Sequence, residues 1–386
     1  MKGERRSMHP SDVRLANVLK IIAELRESQG STHADVARAI GLSVPAVHRL
    51  MSELVEEGLV EERDAHDAPT VGRPATSYRF RGETAMLAGV DIGNGTTRIV
   101  LTDLDITERA SLSLRTDELG PNLPQVVANS IQQLGRQHGD LPLVAVGIGV
   151  PAAVDPSTGI LHHLPVLREY EGLHLADEVG KFLGCPIAVQ QDDHYSALAE
   201  SSALGSRPGV RSLLVLEIGW GIGVGACMNG QPVAGRHGSF GRIAGWPVSV
   251  FNDCLPGGTL GEVLTTAGLL KQYEKRGGHF PIRDGLGLVE AARGGEREAM
   301  DVLTWAGEEI AQTILRLSLL CDPEGVVFGG GMSQAFDLFV DTFVATLPED
   351  FVPVPSVLRD RAVVVGAVLE ANRYVEQWLR GRLSRA

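Results

Sequence analysis

The chain has 386 residues, 44% hydrophobic and 22% charged, with a formal net charge of −13. That length calls for two or three domains, and the acidity excludes a surface that coats nucleic acid wholesale while leaving room for one local DNA-binding module. No apolar run of about 18 residues is free of breakers, so no membrane span is expected. Four scattered cysteines, with neither a CxxC pair nor a signal peptide, point to a reducing cytoplasm.

The charge is unevenly placed. Residues 1–50 carry 8 basic against 5 acidic side chains, a mildly basic head on an acidic body. Val13, Ala16, Val18, Leu19, Ile22, Ala23 and Leu25 recur at near-helical spacing and predict a helix over Asp12–Ser28. A second helix starts at Thr32 or His33 and ends at Ile40, with Gly41 placed as a left-handed cap. Ser43 stands where it would cap a third helix, Pro45 is tolerated in that helix's first turn, and Gly58 stops it after about Glu57.

Two short helices joined through Gly41 form the pattern of a helix-turn-helix. The third helix would turn Val47, Leu50, Met51, Leu54 and Val55 inward. Ser43, Val44, Ala46, His48, Arg49 and Ser52 are then left for DNA. Small residues let the helix sit deep in a major groove, Arg49 donates to guanine or phosphate, and Ser52 donates to phosphate. Strands near Gly58–Glu62 and Val71–Phe80 make a wing, and Gly72-Arg73-Pro74 would carry Arg73 into a minor groove. The competing reading is a three-helix packing or dimerisation unit.

The body opens with Ala88–Asp103, a hairpin around the glycine-rich turn Asp91-Ile92-Gly93-Asn94-Gly95. Such a turn offers backbone N–H groups to phosphate, and the Asp positions a metal or water. Val144–Asp155 is a buried strand entering a Gly/Pro loop. Pro186–Glu200 puts Asp192 at a strand-to-helix switch. Leu213–Gly225 is a second glycine-rich hairpin that echoes the first, and Val326–Ser333 is a strand ending in three glycines. The helical pattern Gly366–Leu383 is expected to return to the first lobe. The fold class is therefore α/β: a winged helix-turn-helix over residues 1–80, then a duplicated, actin-like two-lobed domain over 81–386 with a ligand cleft between its lobes. Lobe one takes about 85–195 plus 366–386, and lobe two about 196–365.

On these motifs the chain resembles the ROK family of repressors and sugar kinases, in its regulator branch with an N-terminal winged helix. The resemblance is carried by Gly147–Asp155, by Asp192 with Ala197-Leu198-Ala199-Glu200, by Gly329–Gly331, and by the winged head with its Gly-Arg-Pro tail. It implies that Asp192 stands where the family's kinases hold their general base, with Gln191 in place of a sugar-binding Asn and His194 in place of a second Asn. It also implies departures. Asn94 interrupts the first phosphate turn, and Trp220 replaces the Thr of the second. Arg242 replaces a sugar-binding Glu, and Gly245 replaces a zinc-ligating His. In the family's cysteine loop only Cys254 survives, so structural zinc, which needs about four N or S ligands, is not expected. Glu262 aligns with a second sugar-binding Glu across a one-residue gap.

The resemblance thus implies a regulator without zinc or other cofactor, with no catalytic residue and Asp192 as a vestigial base. Ligand contacts are expected from Gln191, Asp192, His194, Arg242 and Glu262. Its partners would be double-stranded operator DNA, a sugar or sugar-phosphate effector, and further copies of itself as a homodimer or dimer of dimers. Three alternatives stay beside this: Asp192 as a helix cap, Arg242 as a surface residue rather than a phosphate clamp, and Trp220 and Trp246 as packing residues, with Trp220 alternatively closing an emptied nucleotide pocket. At the level of the whole chain, the alternatives are an active sugar kinase and a regulator that answers a non-sugar ligand or a partner protein.

Overall fold

A computed structural model describes residues 10–28, 30–63, 76–164, 167–204, 211–248, 258–279 and 281–383. The head consists of α1 (Pro10–Ser28), α2 (His33–Ile40), α3 (Val44–Glu56), β1 (Val60–Arg63) and β2 (Ser77–Phe80). Local chemistry sets its helix ends. The Thr32 hydroxyl accepts the Asp35 N–H, and the Asp35 carboxylate returns to the Thr32 N–H, a reciprocal capping box that starts α2. Gly41, at φ 72°, ends it. Ser43 is the residue before α3, but its side chain makes no capping bond. Val47, Leu50, Met51 and Leu54 are buried as the helical period requires, while Val55 is only partly buried. β1 and β2 pair antiparallel, with Val60 opposite Phe80. Arg73 and the rest of the wing tip fall outside the described residues.

Lobe one contains β3 (Met86–Ile92), β4 (Thr96–Asp103), β5 (Glu108–Arg115), α4 (Leu123–Gln137), β6 (Leu143–Val150), the short pair β7 (Ala153–Val154) and β8 (Leu161–His162), α5 (Leu175–Leu183), β9 (Ile187–Gln191) and α6 (Asp192–Leu204). Its sheet runs β5-β4-β3-β6-β9, three antiparallel strands followed by two parallel ones. Lobe two contains β10 (Leu213–Ile218), β11 (Ile222–Met228), β12 (Gln231–Pro232), α7 (Leu260–Val263), α8 (Thr266–Lys275), α9 (Gly285–Arg293), α10 (Arg297–Cys321), β13 (Gly325–Gly329), α11 (Phe336–Thr346) and β14 (Val354–Pro355). Its sheet runs β12-β11-β10-β13-β14 with the same alternation of pairings. The two sheets are one topology used twice, which is the duplication that the two glycine-rich hairpins announce.

Two helices join the lobes. The chain closes with α12 (Ala362–Asn372) and α13 (Val375–Leu383). α12 lies on β3 and β6 and crosses α6, which in turn lies on β10 and β11. The crossing is tight because Gly366 lacks a side chain: a Cβ there would overlap the Tyr195 carbonyl. α6 therefore touches both sheets, and its first residue is Asp192.

The expected single C-terminal stretch is two helices with different partners. α12 has buried residues on most of its faces, as a helix clamped between a sheet and α6 must. α13 buries only Val375, Leu379 and Leu383, a narrow stripe four residues apart, and turns it toward the head. One apolar cluster runs from Leu15, Val18 and Leu54 through Phe80 and Leu87 to Leu379. Polar contacts fasten its edge. Arg380 pairs with Asp12 at 2.6 Å. Arg382 donates to both the carboxylate and the backbone carbonyl of Glu57, each at 2.8 Å, at the end of α3. Arg14 bridges Glu53 of α3 at 2.6 Å and the Leu383 carbonyl at 3.2 Å.

Candidate functional site

A cleft of about 820 Å³ separates the lobes. Asn94 and Pro151 reach it from lobe one, Glu217 and Trp220 from lobe two, and Gln191 and Asp192 form its floor. The floor residues arrive there because β9 ends at Gln191 and α6 begins at the next residue, so the chain turns from strand to helix under the opening. The Asp192 carboxylate accepts the N–H of Asp193 at 2.9 Å. Gln191, only 3% exposed, donates its amide to Asp193 Oδ2 at 2.9 Å, and its own Oε1 has no partner.

The electrostatics are dominated by buried carboxylates. Removal from water pushes Asp192 well above the usual carboxylate range, and the charges of Asp193 and Asp91 push it further. Asp192 retains some contact with the cleft but is otherwise enclosed by protein. Burial raises Asp193 to about 6, against the opposing effects of the Gln191 amide and the Arg242 charge. Burial also raises Glu217 to about 7, assisted by Asp193, and Asp91 to about 7 against the pull of Arg98. Asp91 is 3.8 Å from Arg98, which is held more closely by Asp360 at 2.8 Å. Such a floor offers acceptors, among them the unpartnered Gln191 oxygen.

The structure brings Gln191, Asp192 and Arg242 to the cleft. Arg242 is exposed, and its guanidinium donates to the His163 carbonyl at 2.9 Å, a bond from lobe two to lobe one. His194 is not at the cleft: it is fully buried, with Nε2 3.2 Å from the Phe240 carbonyl and Nδ1 3.4 Å from the Gln190 side chain. Two residues past Asp192, the helix has turned His194 to the opposite side. Glu262 is spent elsewhere, since its carboxylate accepts the Thr259 N–H at 2.9 Å and caps α7. Trp246 packs beside the lobe-two core. Trp220, expected to pack, is 79% exposed and lines the cleft. Cys254 falls outside the described residues.

Asp193, Glu217 and Asn94 complete the site; the sequence marked Asn94 only as an interruption of the phosphate turn, and the other two escaped it. Glu217 had a signal, a lone charge in the buried strand Leu213–Ile218. Asp193 looks from sequence like one more acidic residue in a helix's first turn, and Asn94 like a turn residue.

At the head, Ser43, Val44, His48 and Arg49 are exposed and Ala46 is half-buried. The Ser52 hydroxyl donates to the His48 carbonyl of its own helix at 2.9 Å, which occupies the proton meant for phosphate. The His48 ring lies 4.8 Å from that of His33, which lies 4.4 Å from that of Tyr78, a column linking α3 to the wing.

The sequence matches the ROK family over residues 87–373 and a winged helix-turn-helix DNA-binding unit over residues 14–61. The chain belongs to the ROK family. Among its relatives, the DNA-binding transcriptional repressor Mlc of Escherichia coli K12 is 21% identical over 371 residues, covering 92% of this chain and 90% of Mlc. The dual regulator NagC of the same strain is 28% identical over 319 residues, covering 78% of this chain and 76% of NagC. A crystal structure of a ROK transcriptional regulator, described as a homolog of the Escherichia coli MLC protein, superposes with a TM-score of 0.74 at 20% identity, covering 97% of this chain and all of that one. A ROK glucokinase from Streptomyces griseus, solved with glucose and AMPPNP, superposes at 0.60 and 21% identity over 75% of this chain and all of the kinase. The kinase lacks a counterpart to about a quarter of this ROK chain, whereas the regulator spans nearly all of it.

Proposed function

We propose that this ROK protein is a transcriptional repressor that binds operator DNA through α3 and its wing, and senses a sugar or sugar phosphate in the interlobe cleft. The observation that carries the reading is the continuity from cleft to head. Asp192 opens α6, α6 crosses α12, α12 leads into α13, and α13 shares a buried cluster with α1 and α3. A ligand that favours one lobe spacing over another then has a packed route to the DNA-reading helix. The repressor assignment follows relatives named for it, which include an N-acetylglucosamine repressor of Escherichia coli O157:H7 and a xylose repressor of Caldicellulosiruptor bescii.

Phosphoryl transfer is not part of this reading. The turn that would face ATP phosphates carries a projecting indole at Trp220 where a hydroxyl donor would serve, and Asn94 interrupts the first phosphate motif. Zinc is likewise omitted, because Gly245 offers no side-chain ligand where the family's kinases place a His. The protein acts as a homodimer or dimer of dimers, since a two-fold assembly reads two half-sites.

Footprinting tests the proposal. The expected result is a protected pseudo-palindrome on DNA beside the protein's own gene, lost on adding the right sugar. A single half-site, or no protected site, overturns it. ATP-dependent hexose phosphorylation that vanishes in Asp192→Ala would assign the chain to the kinases instead.

A further inference from the structure

We propose that the cleft takes a neutral glycoside of at least two rings, one ring held by Gln191, Asp192 and Asp193 on the floor and the next stacked on Trp220. The inference rests on the sugar-sensing reading and specifies its ligand class.

Trp220 is the most exposed of the large hydrophobic side chains among the described residues, at 79%. It projects from the turn between β10 and β11, and that turn is held firmly. The Gly219 carbonyl accepts both the N–H of Thr266 at 2.8 Å and its hydroxyl at 3.1 Å, while the Gly219 N–H donates to Gly221 at 2.9 Å. A large aromatic side chain left in water on a rigid turn, at the rim of a cleft, is a binding surface rather than a packing residue. Its flat face suits the C–H face of a pyranose. The lobe-two lining mixes apolar Leu270, Leu286 and Met332 with polar Arg283, Asp284 and Gln334.

Chemistry changes across the cleft. On the floor, the Gln191 oxygen is unpartnered and the Asp192 and Asp193 carboxylates accept hydrogen bonds, so hydroxyl groups belong there. With Glu217 the wall holds three carboxyl groups against the charge of Arg242, which favours a neutral group there over a phosphate. Gly223 packs directly on the Asp193 carboxylate, and Trp220 stands three residues back in the turn of the same hairpin, so the polar floor and the indole occupy different points along one wall. The cleft volume of about 820 Å³ lies high in the range of roughly 300–1,000 Å³ typical of ligand sites, and a single hexose would leave most of it to water.

The test uses the full chain with glucose, xylose, cellobiose, maltose, xylobiose and glucose 6-phosphate, read by tryptophan fluorescence and by melting temperature. One disaccharide is expected to bind about three- to tenfold tighter than its monosaccharide, the increment of one aromatic stack. Trp220→Ala should remove that increment and the fluorescence change, and Trp220→Tyr should restore most of the increment. The exposed position makes either variant fold, which its melting temperature without sugar verifies. Equal affinity for mono- and disaccharide in the wild type, no effect of Trp220→Ala, or tightest binding by glucose 6-phosphate overturns the two-ring site and leaves sugar sensing standing. Absence of binding by every sugar overturns both.

Discussion

Glu217→Gln isolates the cost of the carboxylate cluster. Glu217 lies on β10, opposite Gly223 of β11 and Gly329 of β13, and Ser196 donates its hydroxyl to it. Burial, then the charge of Asp193, raises its pKa from 4.5 to about 7. A folded-state value above the unfolded one means that the native protein binds the extra proton, so this residue's contribution to stability is complete below pH 4.5 and is lost as pH rises through about 7. The full shift corresponds to about 3 kcal/mol. Because Asp193 titrates with it and relieves part of the repulsion, about 1–2 kcal/mol is expected from the single site. Gln has the shape of the protonated acid and keeps an acceptor for Ser196 at every pH. Its stability should match wild type at pH 4.5 and exceed it by about 1–2 kcal/mol at pH 8. Denaturant unfolding at both pH values reads the difference through Trp305, which is buried in the lobe-two core. A variant less stable than wild type at pH 8, or equally shifted at both pH values, refutes the reasoning.

Arg49 is exposed on α3, so Arg49→Ala should lower affinity for DNA selected by the wild-type protein by about 1–3 kcal/mol with no change in melting temperature; unchanged mobility-shift affinity would remove it from the interface. Thr32→Ala breaks the capping box of α2 and should cost about 1 kcal/mol, seen as faster hydrogen exchange in α2, and identical protection would show that the box contributes nothing. Gly366→Val drives side-chain atoms into the Tyr195 carbonyl at the crossing of α6 and α12. It should destabilise the body by about 2 kcal/mol or more, and a wild-type melting temperature would contradict the tight crossing.

What the sequence discloses here is local. A helix start at Thr32 or His33 and the left-handed Gly41 mark the helix-turn-helix within a short window, and the two glycine-rich turns mark matching hairpins. The strand-to-helix switch at Asp192 was legible for the same reason. The failures are matters of direction and distance. His194 follows Asp192 by two residues, and helix phase alone turned it to the Phe240 carbonyl. Glu262 aligned with a ligand residue, but a cap on α7 claims its carboxylate. Trp220 reads as packing until the turn that carries it is seen to project. Nothing near Val375–Leu383 announces that its partners are α1 and α3, because those contacts cross almost the whole chain.

That last contact bears on synthesis. Arg382 grips the Glu57 carbonyl from 325 residues further along the chain, and Leu379 completes the cluster that holds α1 against α3. A ribosome that has made α3 must therefore translate both lobes before that helix has its final support. A product stopped anywhere in the body carries α1 and α3 but lacks the strut behind them. In this arrangement the packing of the head is complete only once α13 is in place.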